Sequence, residues 1–434
     1  MARAVVVGGG YGGLATSVRL AKLGHDVTLV EARDVLGGAL GRVEQDGFCW
    51  DSGPSHTLLP AVVRDLFRKS GRPLERELDL VAVEPARRHR FPDGTELDLP
   101  AGSRAAQLAA ITEVLGERAA AEWVAYVDDF SPVWEALRRD LFERPWAADH
   151  ASDDSRRLLA SRLTLDKVVK KSFKDERLRQ VALHAATMEG HNLRDVPGWQ
   201  GMWAYLEQNF GVWTVPGGMH RLADALAQRL ATRGVGVLTG TTVDDVELEN
   251  GRVRGVRIGS DVLDADHVVV AIDPRRLPAL AGDVEATMPA IPPVVCHLGI
   301  VGDVPDLPHE TVLHGDPTLV VRTGGTAPEG AHAWTILARG RIAEDVVTAI
   351  YRAGVKVRDQ VEVRVDLSPR DLVSQWHGSP YGVLWQGRRS LWRRLGPTTP
   401  YAGLYTAGAH AALGAGLPSV GLSAALVAQL VGPA

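Results

Sequence analysis

The feature that most restricts this chain is a run of glycines held between two short apolar stretches. Gly8-Gly9-Gly10-Tyr11-Gly12-Gly13 sets Gly8, Gly10 and Gly13 at the spacing G-x-G-x-x-G. Ala4–Val7 ahead of it reads as a buried strand. Leu14–Leu23 behind it repeats its apolar residues at helical spacing, and Asp26–Glu31 reads as a second strand ending in an acid. The glycine spacing alone is a weak signal, but its strand–helix–strand–acid setting is a strong one. Gly8 permits the tight turn, Gly10 lets backbone approach a diphosphate, and Gly13 lets helix and strand pack closely. The helix N-terminus turns free N–H groups and a partial positive charge toward an anion. Glu31 is placed to accept from both hydroxyls of an adenosine ribose, and an acid there disfavours a 2′-phosphate. The opening residues therefore predict a dinucleotide site.

The continuation separates NAD from FAD. Ala32-Arg33 is followed by the pair Gly37-Gly38, then Ala39, Arg42, Gly47-Phe48 and Asp51-Ser52-Gly53-Pro54-Ser55. A second glycine pair shortly after the acid resembles the extended motif of FAD-binding chains, in which the backbone runs beside the diphosphate and flavin and which simple NAD dehydrogenases usually lack. Length and composition agree with an enzyme of two domains: 434 residues exceed one ordinary core. A net charge of −5 without long runs of one sign gives no basic face for nucleic acid. Two cysteines, Cys49 and Cys296, build neither a disulfide framework nor a CxxC metal site, and no histidine spacing suggests a metal. The chain opens directly on an apolar strand and has no run of 18 apolar residues, so neither a signal peptide nor a spanning helix is expected. The expected location is cytoplasmic, with peripheral contact to a membrane left open, as is the oligomeric state.

Residues 61–210 read as mainly helical, interrupted by a hairpin near Ala86–Pro100 with Pro92-Asp93-Gly94 as its turn. Trp213–Gly218 reads as a loop before a helix at Met219–Arg233. Short strands follow at Val243–Leu248, Val253–Ile258 and His267–Ile272, with Asn250-Gly251 as a tight turn. In the mixed region 276–395, strands are expected at Val294–Val301 and Trp334–Ala338 and a helix near Ala343–Ala353. The tail, Gly403–Val431, reads as strand, Gly-rich loop and apolar helix.

These blocks together resemble the phytoene desaturase (carotenoid dehydrogenase-like) family of the flavin amine oxidase superfamily. The resemblance spans nearly the whole chain. It rests on the N-terminal block through Pro54, on Val215-Pro216-Gly217-Gly218-Met219, on Ala271-Ile272-Asp273-Pro274, and on Leu404-Tyr405-Thr406-Ala407-Gly408 with Gly414-Ala415-Gly416-Leu417-Pro418-Ser419-Val420. It implies an α/β fold: a Rossmann-like, GR2-type FAD-binding domain interleaved along the chain, with an inserted sheet-plus-helix substrate domain. Residues 1–75, 212–275 and 396–434 are assigned to the first, and 76–211 and 276–395 to the second. Gly8, Gly10, Tyr11, Gly12, Gly13, Glu31, Ala32, Arg33, Gly38, Ala39, Pro54, Ser55, Gly408, Leu417, Pro418 and Val420 would then hold noncovalent FAD. Val243 would lie against the adenine. Where the family commonly has Arg after the glycine pair this chain has Ala39, with Arg42 the nearest stand-in. His410-Ala411-Ala412-Leu413 replaces the family's S-T-H-P beside the flavin.

The resemblance implies hydride transfer from a hydrophobic substrate to flavin N5, the substrate being a polyene, an isoprenoid or another lipid-like molecule. Trp199, Trp203 and Trp213, with Tyr205 and Phe210, cluster ahead of the Gly217-Gly218 loop. They are candidates for the pocket wall, together with Tyr381 and Trp385. His410 is the candidate acid/base. An amine oxidase and a redox-neutral flavin-dependent isomerase are the alternatives; the first is weakened because Val294–Val301 has no lysine of the kind such enzymes carry near flavin N5.

Overall fold

The structure, a computed structural model, describes residues 1–434. The first strand, Arg3–Val7, pairs in parallel with Asp26–Val30 on one side and His267–Val270 on the other. Leu404–Thr406 and Gly236–Leu238 complete a five-stranded parallel sheet at its two edges. Parallel neighbours need a crossover of a dozen residues or more. The helix Tyr11–Lys22 makes the first, while the others are long excursions, so stretches far apart in sequence meet in one sheet.

Local sequence explains the tight packing at this sheet's end. Gly8 adopts φ +102, a region that glycine reaches without strain. A side chain on Gly13 would overlap the Gly8 carbonyl, and one on Gly12 would come within 2.8 Å of the Gly408 Cα. The helix buries every residue from Tyr11 to Leu20, between the helix His220–Thr232 and the C-terminal helix Leu417–Val431. Its buried Arg19 is tolerated because Asp65 holds it at 2.9 Å.

A seven-stranded mixed sheet forms the second layer. Its order is Val361–Leu367, Val294–Val301, Ala331–Arg339, Thr318–Arg322, Glu310–Leu313, Arg87–Arg90 and Glu96–Leu99. In Val294–Val301, Cys296, Leu298 and Ile300 join the core under the helix Val346–Arg352, while Val295 joins the opposite face. Helices between Arg104 and Phe210 build a third core around Trp123, Tyr126, Phe130 and Phe173. Within it, the Gln107 side-chain oxygen accepts from the Trp123 indole at 2.7 Å and from the Gln208 amide at 2.8 Å, which settles otherwise orphaned buried donors. No helix is long and apolar enough to cross a membrane.

The hairpin at Arg87–Leu99 and the strand Val294–Val301 stand where the sequence places them. Several strands do not. Val243 precedes its strand, which runs Asp245–Glu249, and Trp213–Thr214 is a short strand paired with Val81–Ala82 rather than loop. Arg42–Gln45, Phe48–Asp51, Asp261–Asp264, Glu310–Leu313, Thr318–Arg322 and Val361–Leu367 carry no strand reading in the sequence. Phe48 and Trp50 take their burial from Ala333 and Val363 of the large sheet, a contact without local signature.

Candidate active site

The sheets and the helical core enclose one large cavity of about 750 Å³, within the roughly 300–1,000 Å³ range of small-molecule sites. One part of its wall is mainly backbone and polar. Gly8, Gly10, Tyr11 and Gly12 come from the first turn, and Glu31, Ala32 and Arg33 from the end of the second strand. Gly38, Ala39, Pro54 and Ser55 follow from the second glycine pair onward. Val243, Gly408, Leu417, Pro418 and Val420 arrive from the distant segments.

This wall fits a dinucleotide on two observations. The first helix has Gly10 as its N-cap, with no side chain bonding its first turn and no acid within it. The C-terminal helix begins after Gly416 at φ +93, again without a side-chain cap, and Pro418 lacks the N–H that would need one. Two helix N-termini thus open on one cavity with donors unspent, and such buried donors call for an acceptor-rich, anionic ligand. The second observation concerns Gly10, whose φ of −70 is open to any residue. A side chain there would meet only the Gly38 Cα, at 3.9 Å. The protein's own packing does not require this glycine; a ligand lying against it does.

Glu31 departs from its simple assignment. Its Oε2 accepts from the Gly9 N–H at 2.6 Å and its Oε1 from the Arg33 N–H at 2.9 Å. The carboxylate therefore organises the glycine turn and its own strand end, leaving its remaining lone pairs for ribose hydroxyls. Two assigned residues lie off the cavity wall. Gly13 is spent on helix–turn packing. Arg42 turns outward to Glu44 at 2.7 Å and Asp224 at 3.0 Å, so it does not stand in for the arginine missing at Ala39.

The rest of the wall is largely apolar, with Leu99, Trp123, Leu165, Val181, Val295 and Leu337 among its residues. Trp203, Tyr381 and Trp385 line it, as the sequence suggests. Trp199 does not: it stands behind the wall, edge-on to Trp385 with ring centroids 5.4 Å apart. Trp213 is also outside, its N–H donated to the Phe210 carbonyl and its ring under Arg64. Phe210 itself is exposed. These residues were grouped only by nearness in sequence, but Trp199 lies in the turn before the helix Met202–Phe210 and Trp213 in the short strand after it, and neither faces the cavity.

His410 lies on the cavity wall and is buried. Its Nε2 donates to the Ser379 carbonyl at 3.0 Å, and its Nδ1 has no hydrogen-bond partner, 3.6 Å from an Asp273 oxygen that Arg275 also holds. Burial lowers its pKa, with Asp273 opposing. Burial favours the neutral ring, whose Nδ1 is sealed beside Asp273 rather than open to the cavity.

Sequence reasoning missed a second group. Arg87, His184, Glu207, Arg322 and His56 also line the cavity. Arg87 bonds both oxygens of Glu207 (2.9 and 2.8 Å) and Glu310 Oε1 (3.0 Å); Arg322 bonds Glu310 Oε2 (2.9 Å). Burial would raise the Glu310 pKa, but Arg322, His184 and Arg87 outweigh it and hold the carboxyl well below its usual range. Burial pushes His56 down to about 3 and lowers His184. The only sequence trace was an acid or arginine at the end of a short apolar run, at Glu310 and Arg322.

Comparison with known proteins agrees with this geometry. The model of the flavin containing amine oxidoreductase family matches residues 11–299. A hydroxyneurosporene desaturase of Cereibacter sphaeroides is 30% identical over 99% of this chain and 97% of its own length. A 4,4'-diaponeurosporene oxygenase of Staphylococcus aureus is 24% identical over 98% and 97%. Among solved structures, cyclohexylamine oxidase from Brevibacterium oxydans shares the fold, with a TM-score of 0.68 at 16% identity, covering 99% of this chain and 98% of that one.

Proposed function

Because the chain belongs to the flavin containing amine oxidoreductase family, among its carotenoid desaturase-like members, and is therefore an FAD-dependent oxidoreductase, we propose that it dehydrogenates a polyene or related isoprenoid chain. The observation that carries this reading is a single cavity with two uncapped helix N-termini along one wall and apolar side chains along the rest. Bound FAD supplies an acceptor for a hydride leaving carbon.

The protein's residues do the remainder. The turn Gly8–Gly12 and the first helix would hold the diphosphate of FAD and Glu31 its ribose, with Val243 as the residue to take the adenine. The N-terminus of Leu417–Val431 favours negative charge near Gly408. Trp203, Tyr381 and Trp385 position an apolar chain and keep water away, and His410, on the same wall, is the acid/base candidate. The cofactor unit comprises 1–75, 212–275 and 396–434, and the substrate unit 76–211 and 276–395.

Substrate is delivered from an anionic lipid surface. Exposed Leu163 lines a surface recess with Arg162, Arg388, Arg389 and Arg393, and exposed Trp392, its ring against Trp146, directly precedes Arg393 in the chain. Trp and Arg together suit a charged membrane interface. Cosedimentation with vesicles rich in phosphatidylglycerol, but not with phosphatidylcholine vesicles, is expected.

The decisive test is the purified protein with a hydrocarbon polyene under anaerobic conditions. The expected result is a yellow protein that releases FAD on denaturation and whose flavin band bleaches as the polyene gains a double bond. A folded protein that stays colourless with added FAD, or a flavin that no polyene bleaches, overturns the reading.

A further inference from the structure

The apolar wall is broken at one place by charge that the reading above does not use. Arg87, Glu207, Glu310 and Arg322 come from a hairpin strand, a helix and two neighbouring strands, and their side chains are between 3% and 17% exposed. Ion pairs so deep cost several kcal/mol of desolvation per ion, so they are poor evidence of stabilisation alone. Two further facts point to a ligand. The Nη2 groups of Arg87 and Arg322 make no hydrogen bond within the protein, although both residues line the cavity. His184, also on the wall and only 8% exposed, has an Nδ1 without a partner, while its Nε2 lies 3.8 Å from Glu310.

The charges also restrict what can bind. Two guanidinium cations face two carboxylates, and burial keeps His184 and His56 neutral. The group sums to zero, so an arriving carboxylate or ammonium would remain an unpaired buried charge, at heavy cost. A neutral dipole pays no such cost and can both accept from the Nη2 donors and donate to a Glu207 oxygen. The cluster is not remote from the cofactor wall: Arg322 Nη1 donates to the Gly53 carbonyl at 3.3 Å, and Gly53 packs on Ala39.

From this we infer that the cluster binds an uncharged oxygen function, a hydroxyl or a carbonyl, carried on the apolar substrate, so that the protein selects oxygenated chains over bare hydrocarbons. The inference rests on the dehydrogenase reading for the identity of the chain.

Three probes test it: a hydrocarbon polyene, the same polyene with a terminal hydroxyl, and the same polyene with a terminal carboxylate. Binding to the FAD-loaded protein is read by tryptophan quenching, and turnover separately by anaerobic bleaching. The hydroxylated probe is expected to bind about tenfold more tightly than the hydrocarbon, the scale of one net hydrogen bond. Equal binding of the two, tighter binding of the carboxylate, or no binding of any probe overturns the inference. Selective binding without bleaching sinks the dehydrogenase reading and leaves the selectivity standing. Glu207→Gln leaves two cations facing one anion, and it should shift preference toward the carboxylate probe at least tenfold, which a purely structural role would not do. Should that variant not fold, the selectivity of the unaltered protein decides alone.

Discussion

Two glycines three residues apart do different work in the first turn, and substitution separates them. At Gly10 a methyl group meets nothing of the protein closer than 3.9 Å, but it projects into the cavity. Gly10→Ala is therefore expected to fold with unchanged thermal stability as apoprotein and to bind FAD at least tenfold more weakly, as read by flavin titration. At Gly13 the same methyl group overlaps the Gly8 carbonyl. Gly13→Ala should destabilise the apoprotein itself by about 1–3 kcal/mol, the cost of overpacking, in a urea melt. Similar losses of stability in both variants would refute the distinction. Glu31→Gln belongs beside them. It keeps the shape but offers one acceptor oxygen where two now serve Gly9 and Arg33, so both FAD affinity and turn stability should fall.

Between elements, a set of neutral histidines couples stability to pH. His89 Nδ1 and His314 Nε2 are 2.8 Å apart, with His184 edge-on to both rings. Burial is the largest cause in each case: it holds His314 near 3, and lowers His89 and His184 below the ordinary 6.5. Below about pH 6.5 the unfolded chain takes up protons that the folded protein refuses, so stability falls as pH drops from 6.5 toward 3. Glu310, depressed in the fold, adds a loss of the same sign below its ordinary 4.5. The urea midpoint at pH 5 should lie clearly below that at pH 7.5, and a midpoint that rises on acidification would contradict the arrangement. Strands in this region were hard to read for the same reason. Glu310–Leu313 and Thr318–Arg322 are buried on both faces and so show no apolar–polar alternation, with Glu310 and Arg322 at their ends, and only Arg87 and Glu207, more than a hundred residues apart, make those charges tolerable.

For the whole molecule, the cavity wall draws on sequence from Gly8 to Val420, so a ligand bound there would tie together segments that the backbone joins only through long excursions. Removing FAD should lower the melting temperature, and adding it back should restore stability by about 2.7 kcal/mol at a hundredfold excess over Kd. A melting temperature indifferent to FAD would mean that these segments dock without it.

The glycine turn, the first helix, the acid at its strand end and the apolar tail were legible because each depends on residues close in sequence, where backbone sterics and helical period act directly. With the second glycine pair and the family resemblance, they led to FAD as cofactor and to the α/β fold class. Which aromatic rings reach the cavity was not legible: Trp203 and Trp385 do, while Trp199 and Trp213 do not, although all four look alike to a pattern of apolar residues. Nor was the outward turn of Arg42, or the buried meeting of Arg87, Glu207, Glu310 and Arg322. A side chain's direction relative to a cavity is set by the docking of whole sheets and helices, and a buried charge is bearable only once its distant partner has arrived.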